Sequence, residues 1–259
     1  MIEVNSKNYF SKEMNQKYFS VSQYKNFQLC TAKALNDLEN DIHEKKEAFL
    51  EGQLFESWVA GDRVLFLSKH PEIISSTGKT KGELKANFKK VIKAAERFLE
   101  VDLFKNIINK CEKQKILIGE INGVKIKCAL DLFDLENTEI FDIKCMSDFK
   151  EKWSDKEKCY LPWYYTYNYI LQMAIYREIA KQNFSKDFKC NLMAATKEEV
   201  PDIEARRISS NLMDLELEIF KKNINYYNDI KTKKIPAVRC EKCDYCKKTK
   251  IIKGFEIIE

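Results

Sequence analysis

The sequence predicts an α/β fold in which helices flank a mixed central β-sheet, with a helical region at the N-terminus. Three observations predict it. Apolar residues recur at helical intervals through the first 110 residues, the period drops to two after residue 115, and helix and strand patterns then alternate to about residue 230. The 259 residues are 44% hydrophobic with only 7 Gly and 4 Pro, enough apolar content for a substantial core, and this excludes a disordered or collagen-like chain.

Residues 20–38 read as a first helix, with Tyr24, Phe27, Ala34 and Leu38 on its apolar side and Ser20 or Ser22 as its cap. Residues 45–67 and 84–108 read as the second and third helices, separated by the Gly/Ser/Thr-containing stretch 75–82. Residues 115–121 and 124–135 form a hairpin around Asn122-Gly123, a dipeptide that supplies the positive φ angles of a tight turn. Glu136-Asn137 turns the chain into a third strand at 138–145. The segment from Pro162 through WYYTYNYILQMAIYREIA is a largely buried helix, 188–195 a further strand and 202–227 a long helix. Residues 1–230 are expected to form a single domain, and 231–259 a basic, cysteine-containing C-terminal segment.

No apolar run is long enough to span a bilayer, and the opening MIEVNSKNYFSKEMN lacks a secretory core, so a cytoplasmic protein without membrane contact is expected. The odd count of 9 cysteines argues against a disulfide framework and for reduced or metal-bound thiols. The formal charge is only +5, but residues 231–253 carry nine Lys or Arg against two acids. That concentration points to a polyanion contact, although a solvated basic tail has the same composition.

Strand alternation puts Asp142 and Lys144 on one face and Phe141 and Ile143 on the other. With Glu136-Asn137 as a two-residue turn, Asp131 lies directly opposite Asp142. Two carboxylates at that separation repel unless a cation sits between them, and a hard divalent ion such as Mg²⁺ takes oxygen ligands. Such an ion acidifies water and neutralises charge on a phosphodiester, while Lys144 positions the nucleophile or stabilises the pentavalent phosphorus. The polar face of an ordinary hairpin can carry the same residues, so the triplet alone leaves both readings open. Gln172 and Tyr176 share a helical face. Upstream, Gly52 and Glu56 do the same, with Gly52 permitting close approach and Glu56 offering another metal oxygen. His43 and His70 have no ligand or nucleophile spacing and read as surface or packing residues.

Taken in order, Asp131 within ALDLFD, Asp142-Ile143-Lys144 and Gln172 to Tyr176 within QMAIY resemble the P-D-(D/E)-x-K nuclease superfamily. The likeness is to its phage and RecB-like exonuclease branch, which includes YqaJ-like recombination exonucleases and CRISPR-associated relatives. It spans about residues 20–246 and implies a restriction-endonuclease-like fold. Related sequences often place a histidine where this one has Glu56, and a small residue where it has Cys128. The resemblance implies metal-dependent hydrolysis of DNA at duplex ends in phage recombination or repair. Glu56, Asp131 and Asp142 would hold Mg²⁺ or Mn²⁺, and Lys144, Gln172 and Tyr176 would complete the catalytic set. A single-strand annealing or recombination protein is an expected partner, and a homo-oligomer is compatible with it. A noncatalytic DNA-binding scaffold and a structure-specific endonuclease are the alternatives.

Cys240, Cys243 and Cys246 have metal-ligand spacing but leave a four-thiolate site one ligand short. Cys30 can complete it. Its context SVSQYKNFQLC resembles the N-terminal cysteine element of RecB-like nucleases that staple the chain ends around a [4Fe–4S] cluster, although the final spacing is tighter here. Zn²⁺ and unliganded thiols remain alternatives. Cys111, Cys128, Cys145, Cys159 and Cys190 read as buried small side chains. Basic residues near Cys240, with Lys150, Lys152, Trp153 and Lys156, are expected to contact DNA without reading its sequence.

Overall fold

The computed structural model describes residues 4–42, 47–155, 157–252, 254, 255 and 257. His43 and Lys156 therefore lie outside the described residues. The chain opens with α1 (Lys12–Lys17), α2 (Val21–Leu29) and α3 (Thr31–Glu39). The single helix expected over 20–38 is broken at Cys30, which is extended (φ −165°, ψ 107°) and serves as both the C-cap of α2 and the N-cap of α3. Ser20 caps α2 as the sequence suggests, accepting the Gln23 N–H at 3.3 Å.

The second expected helix is likewise two, α4 (Glu47–Ala60) and α5 (Arg63–Lys69), divided where Gly61 takes a φ of +89° that an L-residue resists. The third divides at Val101 into α6 (Ala86–Glu100) and α7 (Asp102–Lys110). The sheet follows as β1 (Glu112–Ile121), β2 (Val124–Asp134) and β3 (Glu139–Met146), then a small separate hairpin of β4 (Lys152–Ser154) and β5 (Cys159–Leu161). After α8 (Trp163–Thr166) and α9 (Tyr169–Phe184) come β6 (Lys189–Thr196) and β7 (Ile203–Ile208), then α10 (Ser210–Lys231) and α11 (Asp244–Lys248). The first part of the expected helix at 202–227 is thus an edge strand. Its exposed Arg206 and Arg207 keep that edge charged against further pairing.

The main sheet runs β1-β2-β3-β6-β7. It is mixed, because β3 pairs with β6 in parallel while β2–β3 and β6–β7 are antiparallel. The Asn122-Gly123 turn has both residues at positive φ, +51° and +80°, as a two-residue hairpin requires. The β2–β3 turn is longer than expected, but its register is the expected one, from Asp134 opposite Glu139 to Leu132 opposite Phe141. Asp134 fixes that turn by accepting the Asn137 backbone and side-chain N–H groups, each at 2.9 Å, and an ion pair from Lys110 at 2.9 Å.

Although burial works against ionisation, these bonds hold the Asp134 carboxyl down at about 2. Because the folded value lies below the unfolded one, the stabilisation is present above the ordinary Asp range near 4 and is lost as pH falls towards 2. Asp134→Ala should therefore cost about 2 kcal/mol at neutral pH and flatten the acid limb of a pH–stability curve measured by urea denaturation. An unchanged acid limb would count against this role for the turn.

The chain divides into two compact units. One comprises residues 1–43, 118–128 and 218–259. Its interior is aromatic, with Tyr24 packed on Phe220 and Tyr227 at centroid distances of 4.6 and 5.3 Å, and Phe19 on Phe27 at 5.5 Å. Phe19 also bonds to the backbone at both Lys125 and Lys127. Lys231, counted with the basic segment in the sequence, is buried here; its ammonium donates to Tyr18 O at 2.7 Å and Gln23 Oε1 at 3.0 Å.

The other unit comprises residues 44–117 and 129–217. The α6 residues Phe88, Val91, Ala95 and Phe98 pack with Leu54 and Phe55 of α4 on the sheet residues Leu132, Phe141, Ile143 and Met193. This is the face opposite Asp142 and Lys144, as strand alternation demands. A Cβ at Gly52 would meet nothing within 4 Å, so close approach does not explain that glycine. His70 ends α5 with its Nδ1 3.1 Å from Glu72 Oε1, a surface contact. Among the described residues no helix is long and apolar enough to cross a membrane.

Candidate active site

The site is built where β2 and β3 stop pairing through their backbones. One step beyond the Leu132–Phe141 pair, the Asp131 side chain takes over, its Oδ2 accepting the Ile143 N–H at 2.9 Å. The next outward-facing residue on β3, Lys144, places Nζ 2.6 Å from Asp142 Oδ2 and 3.9 Å from Asp131 Oδ2. Its ammonium also donates to the Ile143 carbonyl at 3.1 Å and lies 5.1 Å from the centre of the Tyr169 ring. Gln172 on α9 donates its amide to Asp142 Oδ1 at 2.7 Å, which fixes the rotation of that carboxylate. Tyr176 stands one turn further along α9, half-buried.

Glu56 enters from α4. Burial raises its pKa; Asp142 raises it further, while Lys144 opposes the shift. Asp131 is held well above the ordinary carboxyl range by burial and by the charges of Glu56 and Asp142, against the pull of Lys144 and the Ile143 N–H. Burial works against the Lys144 charge, yet Asp142 and Asp131 outweigh it and hold the ammonium protonated. Three carboxyls thus share one lysine, an arrangement short of positive charge. Asp142 Oδ2 is buried, and its close partner among the described residues is the Lys144 ammonium at 2.6 Å. A cavity of about 20 Å³ lies on the Glu56 and Asp131 side of the site, lined also by Gln114 and by the apolar Val59, Ile108, Leu132 and Ile143, enough for one water-sized occupant. Three buried carboxyls with a single lysine among them are a hard oxygen donor set of the kind a divalent cation takes.

Gln114 and Tyr169 belong to this site, although neither is marked by a motif or by spacing. Gln114 has a φ of +52° within β1, and its amide reaches Asp131 Oδ1 at 3.4 Å. A left-handed residue inside a strand re-aims its side chain, which no local pattern signals. Tyr169 sits three residues before Gln172, among so many tyrosines that spacing does not single it out.

The second cluster lies in the other unit. The sulfurs of Cys30, Cys240, Cys243 and Cys246 all fall within 4.8 Å of one another, with Cys30–Cys246 at 3.6 Å and Cys240–Cys246 at 3.9 Å. Thr31 and Val238 brace the arrangement with reciprocal bonds, Oγ1 to Val238 O at 2.9 Å and Val238 N to Oγ1 at 2.7 Å. N–H groups of Lys242 and Cys243 pull the Cys240 thiol down to about 6, into the thiolate form that binds metal. Cys111, Cys128 and Cys190 are buried as expected; Cys145 is partly buried and Cys159 is exposed, because it lies on the small β4–β5 hairpin outside the core. In the basic segment Lys233, Lys234, Arg239 and Lys247 have acidic partners, which reduces the surface charge offered to a polyanion.

A family model described as a PDDEXK-like domain of unknown function (DUF3799) matches residues 20–249. The crystal structure of a protein from Eubacterium rectale, described as a candidate exonuclease, superposes with a TM-score of 0.91 at 29% identity, covering 99% of this chain and 97% of that one. It shares the restriction-endonuclease-like α/β fold. The crystal structure of SSO0001 has 18% identity over 81% of this chain and 96% of that one, at a TM-score of 0.31 that supports no comparison. Among curated proteins no match was found.

Proposed function

Because this chain belongs to the PDDEXK-like family, whose nucleases generally use divalent metals, we propose that it is a nuclease, and more narrowly a metal-dependent exonuclease acting at the ends of duplex DNA. The observation that carries this reading is the gathering of Asp131 and Asp142 about Lys144, with Glu56 close enough to raise the pKa of Asp131. Glu56, Asp131 and Asp142 would hold Mg²⁺ or Mn²⁺. When bound, the ion supplies Lewis acidity to the attacking water and charge neutralisation at the phosphate.

The chain's own groups do the rest. Lys144 brings a fixed positive charge to the point where the phosphorus centre gains negative charge. The Ile143 N–H and the Gln172 amide hold Asp131 and Asp142 in place, so neither carboxylate must reorganise during the reaction. Tyr169 confines the lysine from one side. We assign Tyr176 to the same helix face, as a contact to the substrate backbone.

The four cysteines would hold a structural metal. Four thiolates around a single zinc at Zn–S about 2.3 Å are separated by roughly 3.8 Å, close to the separations found here. A [4Fe–4S] cluster needs the same four ligands further apart. Metal analysis with visible absorbance distinguishes the two.

The neighbour described as a candidate exonuclease supports action at chain ends; a role in phage recombination or repair rests on the motif resemblance alone. DNA bound without sequence preference is the expected partner, with a single-strand annealing or recombination protein beside it, in the cytoplasm. The test is incubation of the purified protein with end-labelled linear DNA and with closed circles, with and without Mg²⁺. Metal-dependent shortening of the linear substrate alone is the expected result. Cleavage of the circles would instead support a structure-specific endonuclease, and metal-independent binding without cleavage would support a scaffold.

A further inference from the structure

The carboxylate site leaves the β4–β5 hairpin without a role. It is the next element after the strand that carries Asp142 and Lys144, and only α8 separates it from α9, which carries Tyr169 and Gln172. Trp153 and Tyr160 are register partners across it, so both rings project from one face. They meet edge to face at 5.4 Å and remain 52% and 64% exposed, although a two-stranded sheet this short has little stability to spare. The Trp153 indole N–H is taken by Asp155 Oδ1 at 3.1 Å, so what the ring offers to solvent is its π-surface.

From the hairpin an aromatic and cationic series leads back to the reactive lysine. Lys152 donates to the Tyr167 hydroxyl at 2.9 Å and lies 5.3 Å from that ring's centre. The Tyr167 ring is 5.9 Å from that of Tyr169, over which Lys144 sits at 5.1 Å. We propose that the hairpin is a grip for single-stranded DNA, in which Trp153 and Tyr160 stack on unpaired bases of the strand whose end lies at the carboxylates. The proposal rests on DNA being the substrate. Every base presents a π-face, so the grip is indifferent to sequence. Residues 147–161 carry four Lys and four acids, so the hold comes from stacking and not from net charge.

The test uses the full-length protein without added divalent metal and a labelled duplex, either blunt or with a single-stranded overhang, followed by fluorescence anisotropy. W153A/Y160A should lose about tenfold in affinity for the overhang DNA and less than about twofold for blunt DNA, with an unchanged salt slope. W153F/Y160F should retain overhang binding. Tryptophan emission should be quenched by the overhang in the wild type and not in W153F. Wild-type affinity of W153A/Y160A for the overhang, or quenching that persists in W153F, overturns the grip. If the protein cleaves DNA yet these variants bind normally, only the grip fails. If it binds overhangs through the pair but cleaves nothing, only the nuclease reading fails.

Discussion

Lys144→Ala is expected to slow metal-dependent DNA cleavage by about 10²–10³-fold, the range typical for removing one preorganised group that stabilises transition-state charge. The loss should fall on kcat and leave KM nearly unchanged, because the ammonium is turned towards Asp131 and Asp142 and not towards solvent, with only 15% of its side chain exposed. Its removal also leaves the buried carboxyls without their cation. In metal-free buffer the variant should lose about 3–5 kcal/mol of stability, the usual cost of breaking a buried pair from one side. Added Mg²⁺ should restore much of that loss, since it supplies the missing charge. Asp142→Asn should behave differently, abolishing cleavage and weakening the response of melting temperature to Mg²⁺. Retention of more than about a tenth of the wild-type rate by Lys144→Ala would remove the lysine from the chemistry.

Cys246→Ser should strip the cysteine site of its metal and lower the melting temperature by about 10–20 °C, a shift worth roughly 5 kcal/mol in a chain of this size. Structural zinc contributes about 10–16 kcal/mol in small isolated fingers. A smaller effect is expected here because Tyr24, Phe27 and Phe220 give this unit an apolar interior of its own. Cys246 is fully buried against Cys30 and Cys240, so serine replaces a ligand with a hydroxyl that has no equivalent partner. Hydrogen exchange should accelerate in residues 1–43 and 218–259 and leave α6 and β6 protected. Protein that contains neither zinc nor iron and melts unchanged after the substitution would show that the thiols are unliganded.

The residues of the candidate site are more legible in the sequence than the boundaries of the helices around them. The β2–β3 register followed from alternation and from where the turn had to fall, so Asp131 and Asp142 could be brought together across eleven residues. The helix breaks at Cys30 and Val101 were hidden because apolar spacing continues through both. Cys30 closes α2 with its backbone N–H on Asn26 O and starts α3 with its sulfur, which accepts the Lys33 N–H at 3.4 Å, and cysteine is not an ordinary capping signal. DIEARRI reads as helix by composition; only pairing with β6 makes it a strand. Tyr169 and Gln114 reach the site through tertiary placement alone.

The division of the first unit between the two ends of the chain has a consequence for how the protein is made. Cys30 leaves the ribosome 216 residues before Cys246, a delay of roughly 10–40 s at ordinary rates of translation. Through that interval the nascent N-terminal helices must wait with an exposed aromatic surface and an unfilled thiol site, while α4 to β7 can already fold. Premature termination after residue 217 therefore releases a polypeptide with the whole of the second unit and an orphaned leading segment, a form that chaperones and proteases would recognise.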